Sequence, residues 1–211
     1  MPSAVPVPRS LLVGAPRPLL STRAESALGQ RHREVLDGLE ALLRDGELAP
    51  LTIRELAAKL ECSRRTLYEL SPSKEQLFLL TLDRFMHRIG REAIASVNPN
   101  TTATMQLRQY VTVNIGYAFR SSAYEDLAEV PGARRLIDRH SRFAATVIER
   151  IVAVGIDHGE FRPMESAVVA AVILAAVVHL GQPDVVADLG GDLDATVSEM
   201  LNLCLQGLQA R

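Results

Sequence analysis

The stretch Leu51–Tyr68, LTIRELAAKLECSRRTLY, decides the fold of this chain. Its first half repeats apolar residues at i, i+3, i+4 and i+7, the spacing of a short amphipathic helix: Ile53, Leu56, Ala57 and Leu60. Thr52 and Glu55 have the spacing of a capping box, in which each side chain accepts a backbone N–H of the first helical turn. The pattern therefore predicts a two-turn helix that begins after Thr52.

A second short helix is predicted to follow after a tight turn, with Ser63 as its N-cap and Pro72 preventing its continuation. Leu67 is expected to point inward, which leaves a surface rich in Arg and hydroxyl groups: Arg64, Arg65, Thr66 and Tyr68. Arg can pair bidentately with guanine, and hydroxyls can donate to phosphates. Taken alone, this surface either reads DNA or is the solvated face of a small bundle.

The rest of the sequence predicts an all-α protein. Aromatic residues make up only 4%, Trp is absent, and Ala and Leu, which favour helix, supply much of the apolar content. The predicted further helices are Gln30–Arg44, Ser73–Ser96, Thr102–Arg120, Pro131–His158, Glu165–Leu180 and Asp192–Ala210. Five prolines before residue 20 predict a disordered arm over residues 1–28. A helix-turn-helix domain over residues 29–75 and a helical domain over residues 76–211 complete the predicted organisation.

Charge and motif content exclude several classes of function. The net charge is −2, and residues 28–96 carry 11 basic and 11 acidic side chains, so any contact with DNA has to be local. We find no nucleophile elbow, phosphate loop or paired carboxylates, and therefore predict neither an enzyme nor a cofactor. No metal site is predicted, because the histidines and the two cysteines lack ligand spacing: His32, His87, His140, His158, His179, Cys62 and Cys204.

Residues 30–93 resemble the DNA-binding domain of the TetR (tetracycline-repressor-like) family. The resemblance lies in the 51–60 segment, in Cys62–Tyr68 and in Pro72–Leu77 with its Ser-Lys-Glu. It implies a homodimer that binds double-stranded operator DNA through two helix-turn-helices. The residues that it implies for DNA binding are Thr52, Ser63, Arg64, Arg65, Thr66, Tyr68 and Lys74. Glu69, Leu70 and Ser71 depart from the family pattern, as does Glu61, which stands at a turn position often held by Gly and requires a positive φ there or a different turn.

The C-terminal half predicts dimerisation and ligand sensing. The 167–180 segment is apolar on all sides apart from His179, and a monomer surface cannot easily bury such a helix. We expect it to pair, together with the last helix, with the same helices of a second copy in a four-helix bundle. Candidate residues for a mostly apolar small-molecule effector are Tyr110, Asn114, Tyr117, Phe143 and His179, each of which is alternatively plain core or surface.

Taken together, the sequence predicts a cytoplasmic, ligand-responsive repressor that binds a pseudo-palindromic operator as a homodimer. At 14 residues, the longest apolar run is shorter than the ~20 residues of a membrane span. The alternative is a helical dimeric interaction module that has lost DNA binding, for which Glu61, Glu69 and Leu70 are the best support.

Overall fold

The computed structural model describes residues 9–115 and 130–209. Within these ranges the chain forms a 3-10 helix at Arg9–Leu12 and ten α-helices, with no β-strand, so the all-α prediction is confirmed. The helices are α1 (Thr22–Ala27), α2 (Gln30–Arg44), α3 (Ile53–Lys59), α4 (Arg64–Leu70), α5 (Lys74–Ser96), α6 (Ala103–Ile115), α7 (Ala133–Asp157), α8 (Ser166–Leu180), α9 (Pro183–Asp188) and α10 (Leu193–Leu208).

The predicted helix starts are confirmed by their capping bonds. Thr52 and Glu55 form the reciprocal capping box before α3, and the Ser63 hydroxyl accepts the Thr66 N–H at 3.0 Å before α4. The Ser73 hydroxyl accepts the Gln76 N–H at 3.1 Å at the start of α5. These bonds satisfy backbone N–H groups that have no partner inside the helix, and so place the three starts.

The chain divides into two compact units, and the first of them contains the helix-turn-helix. It comprises Pro16–Arg88 and Phe119–His140, of which residues 119–129 lie outside the described ranges. Leu36 and Leu39 of α2 and Leu67 of α4 are fully buried in it. Gly38 on α2 is required for this packing, because a Cβ there would lie 2.6 Å from a methyl of Leu60.

An ion-pair network joins α1, α2 and α5 within this unit. Arg84, whose side chain is 16% exposed, donates to Glu25 at 2.6 Å, to Asp37 at 2.9 Å and to the buried Glu40. Arg88 donates to the other oxygen of Glu40 at 2.8 Å. Paired in this way, the buried carboxylate avoids the large penalty of an uncompensated charge.

The second unit comprises Met1–Ala15, Ile89–Ala118 and Ser141–Arg211, of which residues 1–8, 116–118 and 210–211 lie outside the described ranges. Its core combines Ile94 and Leu107 with residues of α7, α8 and α10, such as Ile151, Ile173 and Leu201. Most of the apolar stripe on α10 packs in this core rather than on the surface: Val197, Met200, Leu201, Leu205 and Leu208 are buried.

Two short helices were not predicted. The last proline of the N-terminal segment is Pro18, so Thr22–Ala27 is free to form α1, and the Ser21 hydroxyl accepts the Ala24 N–H at 3.2 Å to start it. Residues 9–28 are therefore partly helical, in contrast to the disordered arm that was expected. The second is α9, in which Pro183 stands in the first turn, where its missing N–H needs no partner.

No helix of the described residues combines the length and the apolar character that crossing a bilayer requires.

Candidate nucleic-acid interface

The turn between α3 and α4 has the geometry of a Schellman motif. Cys62 N–H donates to the Ala57 carbonyl at 2.8 Å, and Glu61 N–H donates to the Ala58 carbonyl at 3.1 Å. Glu61 takes the left-handed conformation that this motif requires, with φ at 50°. Arg31 of α2 donates to the carbonyls of Leu60 at 3.0 Å and Glu61 at 2.5 Å. The turn thus keeps the helix-turn-helix shape although Gly is absent.

Helix α4 is held by one buried side chain and exposes the residues predicted to contact DNA. Leu67 is fully buried, Arg64 and Arg65 are exposed, and the Tyr68 side chain is 53% exposed. Within the described residues Arg64 and Tyr68 make no side-chain hydrogen bond or ion pair. Arg64, Arg65 and Tyr68 face outward as expected, whereas Thr66 is half-buried and its hydroxyl lies 2.9 Å from that of Ser63. The donors of Arg64 and Tyr68 are therefore available to an external ligand.

Arg65 differs from Arg64 because it is paired with an acid one turn along α4. Its Nε donates to Glu69 at 2.8 Å, while the other Glu69 oxygen lies 3.1 Å from His32 Nε2 of α2. The hydrogen bonds from Arg65 and His32 lower the pKa of Glu69. Glu69 therefore competes with DNA for Arg65.

Thr52 and Lys74, two of the predicted DNA-binding residues outside α4, already make hydrogen bonds within the protein. The Thr52 hydroxyl lies 2.7 Å from a Glu55 carboxylate oxygen in the capping box. Lys74 stands at the start of α5, where the helix dipole favours anions, but its Nζ donates to the Ala49 carbonyl. An ammonium has three donor hydrogens, so Lys74 can keep this bond and still approach a phosphate.

The effector candidates do not gather into one open pocket. Tyr110 is 1% exposed in the core of its unit, and burial raises the pKa of its hydroxyl. Asn114 donates to the Tyr110 carbonyl at 3.1 Å, and Phe143 packs against the same core. His179 is exposed on α8. Tyr117 lies outside the described residues.

An open groove of about 540 Å³ lies elsewhere in this unit. Its lining is mostly apolar, including Leu11 and Val97, with Arg150 and Asp157 as charged members. Arg150 donates to the Val13 carbonyl at 2.8 Å and thereby holds the N-terminal segment beside the groove. The groove and the predicted effector residues do not overlap, so those residues stay a prediction.

Helix α8 exposes an apolar face, as its composition predicted for a single protomer. Val169, Ala170 and Ile173 are buried, whereas Val168 is 59% exposed and Val172 is 55% exposed. The exposed members recur at helical spacing: Ala167, Val168, Ala171, Val172, Ala175 and Val178. On α10 the exposed large apolar residue is Leu203, at 70%. The apolar residues on the opposite side of this helix, from Val197 to Leu208, are buried or half-buried.

A comparison with family models matches residues 125–198 to the tetracyclin repressor-like C-terminal domain. A comparison with curated proteins finds no match.

One similar solved structure is that of a protein from Saccharomonospora viridis, which is assigned as a transcriptional regulator and was crystallised with choline. It has a TM-score of 0.73 and 19% identity to this chain, and the match covers 85% of this chain and 98% of that one. A tetR-family regulatory protein from Rhodococcus RHA1 has a TM-score of 0.63 and 19% identity, over 87% and 100%. AibR in complex with isovaleryl coenzyme A and operator DNA has a TM-score of 0.61 and 21% identity, over 82% and 97%.

The chain therefore has the all-α, helix-turn-helix fold of the TetR-type regulators. The resemblance noted in the sequence is confirmed, and residues 125–198 match the model of the tetracyclin repressor-like C-terminal domain.

Proposed function

We propose that the protein is a homodimeric, ligand-responsive DNA-binding repressor. The observation that carries the proposal is helix α4, which a single buried leucine anchors while Arg64, Arg65 and Tyr68 face solvent. Arg side chains at exposed positions of a second helix can reach base edges in a major groove. Such a regulator acts where the DNA is, so we infer a cytoplasmic location, and we assign it no catalytic role.

The exposed face of α8 supports the dimer. An apolar face of this kind is stabilised when a second copy covers it, by roughly 25 cal/mol per Å² of apolar surface removed from water. A two-fold pair would present two α4 helices to successive major grooves, about 34 Å apart or a multiple of that. We therefore expect a pseudo-palindromic operator, with Thr52, Ser63, Thr66 and Lys74 contributing phosphate or base contacts.

The effector is expected to be mostly apolar, because apolar side chains dominate both the core around Tyr110 and the groove beside Arg150. The ligands of two structural neighbours, choline and isovaleryl coenzyme A, suggest small organic molecules as the first compounds to screen. We expect binding to lower operator affinity by a coupling of ~1–3 kcal/mol.

The test is a genome-wide binding profile of the full chain, followed by titration of the recovered sites. A shared pseudo-palindrome that wild type binds and the Arg64→Ala/Arg65→Ala variant does not would support the proposal. If the double variant binds operator and scrambled DNA as well as wild type does, α4 is not the recognition helix. The helical interaction module, with Glu61 and Glu69 as its main support, would then be favoured.

A further inference from the structure

A buried cluster of possible metal ligands lies in the unit that contains the helix-turn-helix. Asp83 and His87 stand one turn apart on α5, and His140 approaches them from α7. Asp83 is 1% exposed and His140 is 7% exposed. One ligand atom from each residue lies within 4.8 Å of the other two.

The distances fit a small divalent ion. Asp83 Oδ1 lies 3.3 Å from His140 Nε2 and 3.7 Å from His87 Nε2. Bonds of about 2.0–2.2 Å at tetrahedral angles separate neighbouring ligand atoms by roughly 3.3–3.6 Å. The rings of His87 and His140 meet edge to face, with centroids 4.6 Å apart, so both can turn a nitrogen toward the carboxylate.

The surroundings of Asp83 favour the ligand form of the carboxylate. The Leu19 N–H donates to its second oxygen at 2.6 Å, which fixes the orientation of the group in the way that outer-shell hydrogen bonds orient metal ligands. Burial acts to raise the pKa of Asp83, but hydrogen bonds from His140 and the Leu19 N–H outweigh it and hold the pKa below its usual range.

We propose that Asp83, His87 and His140 form a binding site for a divalent transition-metal ion of the Zn²⁺ class. Two imidazoles and one carboxylate suit Zn²⁺, Co²⁺, Ni²⁺ or Fe²⁺, whereas Mg²⁺ and Ca²⁺ prefer oxygen ligands throughout. Three protein ligands leave a coordination position open for water or a small molecule. The site is independent of the proposed DNA-binding function.

Arg139 competes for this site. Its guanidinium donates to Asp83 Oδ1 at 2.6 Å, the oxygen that also faces both histidines. The Arg139 side chain is 36% exposed, so it can swing to solvent when a metal ion takes its place. A cation already paired with the carboxylate weakens metal binding, which makes the affinity sensitive to this one residue.

The experiment treats the full-length protein with a chelator and titrates it with Co²⁺, followed by absorption, and with Zn²⁺, followed by calorimetry. We expect one ion per protomer. His87→Gln and His140→Gln should each weaken binding by at least about 100-fold, because even the loss of an outer-shell partner typically costs about 10–100-fold. His158→Gln, at an exposed histidine, is the matched control and should bind as wild type does.

Arg139→Gln distinguishes the metal site from a plain ion-pair network, because it keeps all three ligands and removes the competitor. Metal binding should tighten by several-fold in this variant. The proposal is overturned if Arg139→Gln binds Co²⁺ no better than wild type does. It is also overturned if His87→Gln and His140→Gln, folded by circular dichroism, keep wild-type stoichiometry and affinity.

Discussion

Helices α4 and α8 both leave a face exposed, and the two faces have opposite chemistry. The α4 face carries two arginines and a tyrosine, whereas the α8 face carries valines and alanines. A charged face is stable in water, so its exposure alone does not reveal a partner, and only binding measurements test its role. A contiguous apolar face is itself evidence of a partner, because covering it removes apolar surface from water. The α8 face therefore supports a dimer through the stability gained by covering it, whereas the α4 face supports DNA binding through the identity of its arginine and tyrosine side chains.

The largest effect is expected from a charge on the α8 face. Val172→Glu places a carboxylate at a position that is 55% exposed in one protomer and covered in the proposed dimer. An unpaired charge buried at an interface costs several kcal/mol, so the dimer should dissociate at micromolar concentration. Operator affinity should fall by more than about 100-fold, since a monomer loses one of the two half-site contacts. Sedimentation and a DNA titration measure the two effects.

Met105→Glu is the control for this variant, because Met105 is an apolar residue 46% exposed on α6, which is not a helix of the proposed interface. It should remain a dimer. Leu201→Glu would not test the dimer, because Leu201 is 1% exposed in the core of its own protomer and a charge there would disturb folding. A Val172→Glu protein that sediments as wild type does would remove α8 from the interface.

The next effect separates the two arginines of α4. Arg64→Ala should cost about 1–3 kcal/mol of operator binding and relax base preference at one position. Arg65→Ala should cost less, because Arg65 has to leave Glu69 before it can bind DNA, whereas Arg64 has no competing acid among the described residues. Titrations against operators varied at single positions compare the two. Equal losses would mean that the bond to Glu69 is too weak to matter.

A smaller, sequence-independent loss is expected at the edge of the helix-turn-helix. Lys74→Ala should weaken operator and scrambled DNA equally and flatten the salt dependence by about one ion, since a phosphate contact carries no sequence information. Tyr68→Phe removes only a hydroxyl and should lose less. Binding measured at several salt concentrations shows both effects, and a loss confined to the operator would assign Lys74 to base reading instead.

The sequence predicted much of the DNA-binding half because its signals are local. The capping box of Thr52 and Glu55, the inward Leu67 and the bounds of α2 follow from spacing within one or two turns. The sequence also predicted that Glu61 takes either a positive φ or a different turn. Its φ of 50° shows that the chain takes the positive φ. Local periodicity and capping are enough to specify such elements.

Long-range contacts were not predictable in this way. The bond from Arg65 to Glu69 is local, but its continuation to His32 joins residues 37 positions apart. Asp83 and His87 have helical i, i+4 spacing, but the spacing of His and Cys residues alone does not include Asp83. The third residue, His140, is 57 residues from Asp83. The apolar stripe of α10 gave no sign of whether it packs in its own core or against a second copy.

A modest gain in DNA affinity is expected from Glu69→Gln. The change removes a negative charge that faces the same solvent as Arg64 and releases Arg65 from its ion pair. Exposed ion pairs are weak, so binding to all sequences should strengthen by only a few-fold. Glu75→Gln, at an exposed acid on α5, controls for the overall change in charge. An equal gain in both variants would show that net charge, rather than the release of Arg65, is responsible.

The smallest expected effect is on the stability of the turn that places α4. A non-glycine residue in the left-handed region costs about 1–2 kcal/mol, and Gly avoids this at an entropic cost of about 0.5–1 kcal/mol. Glu61→Gly should therefore stabilise the unit by about 0.5–1 kcal/mol and raise Tm by about 1–4 °C. The Schellman bonds and the Arg31 contacts use only the backbone of Glu61, so they survive the change. Glu61→Gln keeps the positive φ and removes only the charge, so thermal unfolding should show no gain for it. If Glu61→Gln stabilises the protein as much as Glu61→Gly does, the negative charge of Glu61 rather than backbone strain limits the stability of this turn.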